Sequence, residues 1–185
     1  VERFYETEMA FVGPDGTLDQ AVLVDTSGTY TQTDDAVMYT RNMTELYDHF
    51  RYSTTIPNPS MYISAEKLFY MDVRTTTAAP CTRVIVQIED SNQATPDNYP
   101  TGRHSRHVAY IEDTESWQRL QFAFYDRPDS GVVNVDRIIV LIDSSTQRSD
   151  VYYIRNFDSA VPGCTENCEP LPTNQCRTRA KSEKG

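Results

Sequence analysis

The sequence contains one tryptophan, three histidines and four cysteines in 185 residues. Its longest aliphatic run is Ile138-Ile139-Val140-Leu141-Ile142, far short of the ~20 apolar residues that a membrane-spanning helix needs. No membrane segment is expected within it and no stretch reads as a signal peptide; a longer secreted or membrane-anchored parent is compatible with both. Basic side chains are scarce as well: 17 Lys and Arg against 27 Asp and Glu give a net charge of −10. Four of the basic groups, with a single acid, fall in residues 177–185, so residues 1–176 hold 13 cations against 26 anions. Such a body repels phosphate backbones, which argues against nucleic acid, and it favours cationic partners such as metal ions and polyamines. Absent too are a G-x-S-x-G elbow, an H-E-x-x-H helix and a phosphate-binding loop, so no enzyme class is indicated.

What is present is a tyrosine-rich, moderately apolar chain, with 12 Tyr, 7 Phe and 38% hydrophobic residues. That is too apolar for a disordered segment. A chain of this length makes one domain and a tail, and it needs no metal or disulfide framework merely to fold. The hydrophobic period is two rather than 3.6. Phe69, Met71 and Val73 share one face of a run opposite Asp72 and Arg74, Val84, Val86 and Ile88 share another, and Leu120, Phe122 and Phe124 a third. Residues 137–143 are apolar on both sides, as a central strand would be, and 151–157 closes the series. Turn clusters lie between at 75–80, 90–101, 126–131 and 144–150. Residues 6–12, 20–24, 36–40 and 45–53 fit strands less cleanly, with 44–50 open to a helical turn. The pattern predicts an all-β chain, an antiparallel β-sandwich over residues 1–161, followed by an irregular, partly disordered tail over 162–185.

Three of the four cysteines, Cys164, Cys168 and Cys176, lie in that tail, and Cys81 is remote. Cys164 and Cys168 have the spacing of half a zinc site, but no Cys or His follows to complete a tetrahedral set. Disulfides that tie Cys81 to the tail fit better, and with them an oxidising, secreted or lumenal compartment; four cysteines allow three pairings, and spacing does not choose among them. Asn42-Met43-Thr44 is a glycosylation sequon compatible with that route.

Within residues 67–157 the elements fall in a definite order. Val84 to Asp90 has the form V-x-V-x-I-E-D, Trp117 to Phe124 the form W-Q-x-L-x-F-x-F, Arg137 to Ile142 an R-I-I-V-L type, and Tyr152-Tyr153-Ile154-Arg155-Asn156-Phe157 closes the set. This order and spacing resemble the second half of carbohydrate-binding modules with a galactose-binding-like jelly roll. The resemblance implies a jelly-roll sandwich and a polysaccharide ligand. It also implies a structural calcium held partly from the closing strand. There the family often has Asp and this sequence has Arg155, so Asp158 would stand in with Glu6 or Glu8 as oxygen partners; no other cofactor is implied. In its acidity, its Tyr and Thr content and its Cys-bearing tail the chain is similar to the lumenal domain of silicanin-type diatom proteins, which take part in silica formation.

Candidate ligand-binding residues follow from the need for aromatic faces and convergent polar groups. Trp117 begins a strand, out of phase with Leu120 and Phe122. Tyr99 and Tyr110 are better placed for the sandwich surface. Arg103, His104, Arg106 and His107 form the densest polar cluster, expected as a loop that binds anions or responds to pH. Glu89 and Glu112, with Asp90, Asp113 and Glu115, would form an acidic rim around it. Of two functions, the acidity and the scarcity of tryptophan favour the first. In the first, the domain is a non-catalytic acidic assembly module of the secretory pathway, which includes mineral-forming vesicles. It would associate with itself as carboxylates protonate and histidines charge toward pH ~5, and bind polycations such as polyamines. In the second, it binds a polysaccharide.

Overall fold

The computed structural model describes residues 8–12, 18–56, 58–131, 133–160 and Cys176. Eleven strands and one helical turn account for most of them: β1 (Glu8–Val12), β2 (Leu18–Thr26), β3 (Thr29–Gln32), β4 (Val37–Thr40), β5 (His49–Thr55), α1 (Ser60–Ile63), β6 (Leu68–Thr75), β7 (Thr82–Glu89), β8 (Arg103–Ile111), β9 (Gln118–Asp126), β10 (Arg137–Ile142) and β11 (Val151–Ala160). Every pairing is antiparallel, in the order β1-β2-β5-β10-β7-β8-β9-β6-β11-β4-β3.

That ribbon folds over on itself at β9. The first half of β9 pairs with β6 through Gln118–Phe122, and its second half pairs with β8 through Ala123, Phe124 and Asp126. Sheet A (β1, β2, β5, β10, β7, β8) is thereby laid against sheet B (β6, β11, β4, β3), with β9 shared. The two inner faces meet in one core. From sheet A come Phe50, Tyr52, Val84, Val86, Ile88, Ile138, Val140 and Ile142; from sheet B come Phe69, Met71, Val73, Tyr152, Ile154 and Phe157. Rings cross the interface between Tyr39 and Phe50 at 5.3 Å and between Tyr52 and Phe157 at 5.8 Å. This is the antiparallel β-sandwich that the period of two called for, because alternate residues of each strand supply one buried face.

The structure departs from the sequence reading in four places. Residues 103–107 are the start of β8 and not a loop. Residues 44–47 form turns before β5 rather than a helix. β3 and α1 were not anticipated. α1 is a single turn, held because the Tyr62 ring stacks on Phe69 at 4.7 Å and its hydroxyl donates to Ser159 Oγ at 2.7 Å. The tail expected from residue 162 lies outside the described residues except for Cys176, which is bonded to Cys81. Cys164 and Cys168 lie outside them too.

Candidate functional site

Sheet A turns a second face outward. Cross-strand register places Arg51 and Ser53 of β5, Arg137, Ile139 and Leu141 of β10, Arg83, Ile85, Gln87 and Glu89 of β7, and Arg106, Val108 and Tyr110 of β8 on it. The middle is tightly covered: Ile85, Gln87 and Val108 are buried although they point away from the core. Exposed groups gather instead at the β8–β9 edge, and two β-bulges create that edge. A bulge adds one residue to one strand and re-aims its neighbours.

The first bulge lies in β8. Ile88 pairs with Ser105 but Glu89 pairs with Arg103, which leaves His104 as the extra residue. Arg103 can then face outward while Ser105 and His107 face the core. The second lies in β9. Arg106 pairs with Asp126 and His107 with Phe124, which leaves Tyr125 as the extra residue. Arg106 consequently meets Asp126 in a two-pronged ion pair, Nε to Oδ1 at 2.7 Å and an Nη to Oδ2. The Asp126 hydrogen bond raises the guanidinium pKa further, against the opposing effect of burial. Tyr125 is 49% exposed and Tyr99 58% exposed, and their ring centroids lie 5.4 and 5.9 Å from the Arg106 guanidinium carbon. The same Tyr99 ring lies 5.9 Å from Arg103.

Tyr99 is carried by loop 90–102, which a buried carboxylate anchors. Glu89, 1% exposed, lies 3.6 Å from Arg103 Nε and accepts from Arg137 Nε at 3.0 Å. Those arginines reach on to the loop: Arg103 donates to the carbonyls of Thr95 and Thr101 and to Asn98 Oδ1, and Arg137 to the Ala94 carbonyl. Asp90 accepts from the Asn92 amide and the Gln93 amide group; burial works against its charged form, but these bonds outweigh it and hold its pKa down. Gly102 closes the loop at φ +76°, and its amide donates to Asp129 Oδ2 at 2.6 Å. The Tyr99–Pro100 peptide is cis.

Of the sequence-predicted ligand residues, Tyr99, Arg103 and Arg106 therefore come together, and Tyr110 shares their face four residues along β8, half-buried opposite Arg83. The others do not join them. His104 and His107 are fully buried, so they form no surface cluster. Neither ring nitrogen of His104 has a hydrogen-bond partner among the described residues. His107 meets Phe69 and Phe124 edge-on at 5.1 and 5.6 Å, and burial lowers its pKa to about 4. Glu89 is a structural anchor. Glu112, with Asp113 and Glu115, sits beyond the far end of β8, roughly 30 Å from Arg103 at strand rise, so the acidic rim does not form. Trp117 lies on the outer face of sheet B, where Arg155 covers its ring at 4.0 Å and Arg74 stands at 5.6 Å. It is half-buried there, on the other sheet from Tyr99, Arg103 and Arg106. Tyr125 and Asp126 were missed, since only the bulge brings them to Arg106.

The calcium set is represented among the described residues by Asp158 alone. Both its oxygens accept from Arg119, at 2.8 and 2.6 Å, and Arg119 also donates to Asp72 at 3.0 Å. Arg155 pairs with Asp35 at 3.1 Å. Asp158 is thus engaged by a guanidinium, and among the described residues no three His, Cys, Asp or Glu side chains are grouped so as to hold a metal ion. Glu6 and the side chain of Glu8 fall outside the described residues. Asn42 is half-buried in an Asx turn: its Oδ1 accepts from the Thr44 amide and hydroxyl, and its Nδ2 donates to the Ser27 carbonyl.

No protein-family model and no curated protein matches the chain. Among solved structures it is similar to a family 11 carbohydrate-binding module from Clostridium thermocellum in complex with a mixed-linked β-1,3-1,4 tetrasaccharide, at 15% identity and a TM-score of 0.41 over 82% of this chain and 94% of that one. It is also similar to a family 22 carbohydrate-binding module of the same organism, at 16% identity and a TM-score of 0.42 over 88% and 90%. An arabinose-bound α-L-arabinofuranosidase gives 9% identity and a TM-score of 0.46 over 83% of this chain, which spans 23% of that enzyme.

Proposed function

We propose that the domain binds a polysaccharide, without turning it over, at the β8–β9 edge of sheet A. The observation that carries this reading is the pair of exposed tyrosine rings, Tyr99 and Tyr125, both close to the Arg106 guanidinium that Asp126 holds. Pyranose rings present apolar C–H faces edged by hydroxyls. Aromatic faces complement the former, and a fixed donor–acceptor pair complements the latter, since each hydroxyl both donates and accepts. Both oxygens of Asp126 are engaged by Arg106, which suits a carboxylate to positioning rather than to proton transfer.

Desolvation keeps His107 neutral until about pH 4, so its charge does not serve association on mild acidification. The Cys81–Cys176 disulfide supports a secreted or lumenal location. Affinity electrophoresis or calorimetry against a panel of plant, algal and fungal polysaccharides tests the proposal: retardation that disappears on Tyr99→Ala supports it, and no retardation by any polysaccharide sinks it.

A further inference from the structure

The chemistry of the glycan, granted the polysaccharide reading, is written in the charge of the same face. Of the 13 cationic side chains in residues 1–176, five lie there: Arg51, Arg83, Arg103, Arg106 and Arg137. Glu89 and Asp126 are ion-paired with them, and the strand register gives Asp25, opposite Arg51, and Glu8, in line with Val22 and Ser53, positions on the same face. The rest of residues 1–176 sets 8 cations against 22 acids, so a strongly negative body displays one face on which arginines are not outnumbered.

The local balance agrees with the count. Glu89 is shared between Arg103 and Arg137, one carboxylate for two guanidiniums. Arg83 donates to Ser144 Oγ at 3.3 Å and forms no ion pair with a described residue. It is half-buried beside Tyr110, whereas Arg106 keeps a quarter of its side chain exposed. Along the strands Arg83 and Arg106 stand about 14 Å apart, a span that successive sugar units of one chain would cover. Repulsion from the acidic remainder is no obstacle at close range, because at physiological salt charges more than ~8 Å away are largely screened.

We infer that the glycan bound here is anionic, a polysaccharide carrying carboxylate or sulfate groups, with Tyr99 and Tyr125 against its ring faces and Arg83 and Arg106 against its charges. Guanidinium donors match either anion with two parallel hydrogen bonds.

Affinity electrophoresis of the whole chain against xylan and mixed-linked β-glucan (neutral), polygalacturonate and alginate (carboxylated), carrageenan (sulfated) and polyglutamate (charge without sugar), at 50 and 500 mM NaCl, decides it. Carboxylated or sulfated glycan binding at least tenfold tighter than neutral glycan, and weakening about tenfold at high salt, supports the inference; the stronger arm identifies the anion. Arg83→Gln should weaken that binding about fivefold with its melting temperature kept. Arg155→Gln, which removes the same charge from the opposite face, should leave it unchanged. Preference for neutral glycan, or indifference to salt, overturns the inference while sparing the polysaccharide reading. Polyglutamate bound as well as the anionic glycans also overturns it, showing charge attraction alone. Silence from every glycan removes the polysaccharide reading itself.

Discussion

Arg106 and Asp126 face each other across β8 and β9 only because Tyr125 is an extra residue in β9. The bulge that makes the ion pair also lifts Tyr125 into solvent beside it, so the two halves of the candidate site share one backbone cause. Polysaccharide binding should therefore depend on both rings. Tyr99→Ala and Tyr125→Ala are each expected to weaken binding about tenfold, or ~1.4 kcal/mol, with little change in melting temperature because both side chains are about half exposed. Trp117→Ala, on the other sheet, should leave binding intact and lower the melting temperature. Calorimetry with a bound glycan and parallel thermal melts would separate these outcomes.

The buried His107 makes stability depend on pH. Its pKa is about 4 when folded and near 6.5 when unfolded, so between those values the unfolded chain takes up a proton that the folded chain refuses. The contribution is fully present above pH ~6.5 and lost as the pH falls toward 4, amounting to about 3 kcal/mol at the acid end. Urea denaturation at pH 7, 6, 5 and 4 should show that decline, and His107→Phe, which keeps a ring between Phe69 and Phe124 but removes the titrating group, should flatten it. Equal slopes in the two proteins would refute the assignment.

Cys81 and Cys176 are 95 residues apart in sequence. Closing a loop of that size restricts the unfolded chain by about 4–5 kcal/mol on the chain-entropy account. Cys176→Ser is expected to lower the melting temperature, and reductant should do the same to the unmodified protein but not to the variant. Mass spectrometry of a non-reduced digest should recover the Cys81 and Cys176 peptides joined.

Gly102 holds loop 90–102 in place. A Cβ there would lie 2.8 Å from the Ala94 backbone nitrogen, at a φ of +76° that side-chain-bearing residues rarely adopt. Gly102→Ala should cost about 1–3 kcal/mol and weaken glycan binding, because the loop carries Tyr99. Unchanged affinity in a destabilised variant would show that Tyr99 does not contribute through this loop.

Where alternation was clean the strands could be read directly. Phe69, Met71 and Val73, or Val84, Val86 and Ile88, point one way with mostly polar residues opposite; β6, β7, β9 and β10 follow within a residue or two, and β11 runs three residues past its expected end. β8 defeated the same logic. Its inward positions include Ser105 and His107, and a bulge at His104 breaks the phase, so a strand with polar residues on both sides looked like a loop. The site suffered likewise: Tyr99, Arg103 and Arg106 were legible as a cluster of aromatic and cationic side chains, whereas Glu112 and Trp117 could be placed only once strand order was known.

Local sequence determined the sandwich itself, since a period of two with one apolar face leaves a chain little choice but to stack two sheets on a common core. Tertiary structure alone decided which outward groups meet. The order in which strands pair, and the two bulges that shift their register, are set by contacts between segments far apart in the chain. A one-residue slip exchanges the faces of a strand, and that exchange is what buries His104 and His107 while bringing Tyr125 and Asp126 to Arg106.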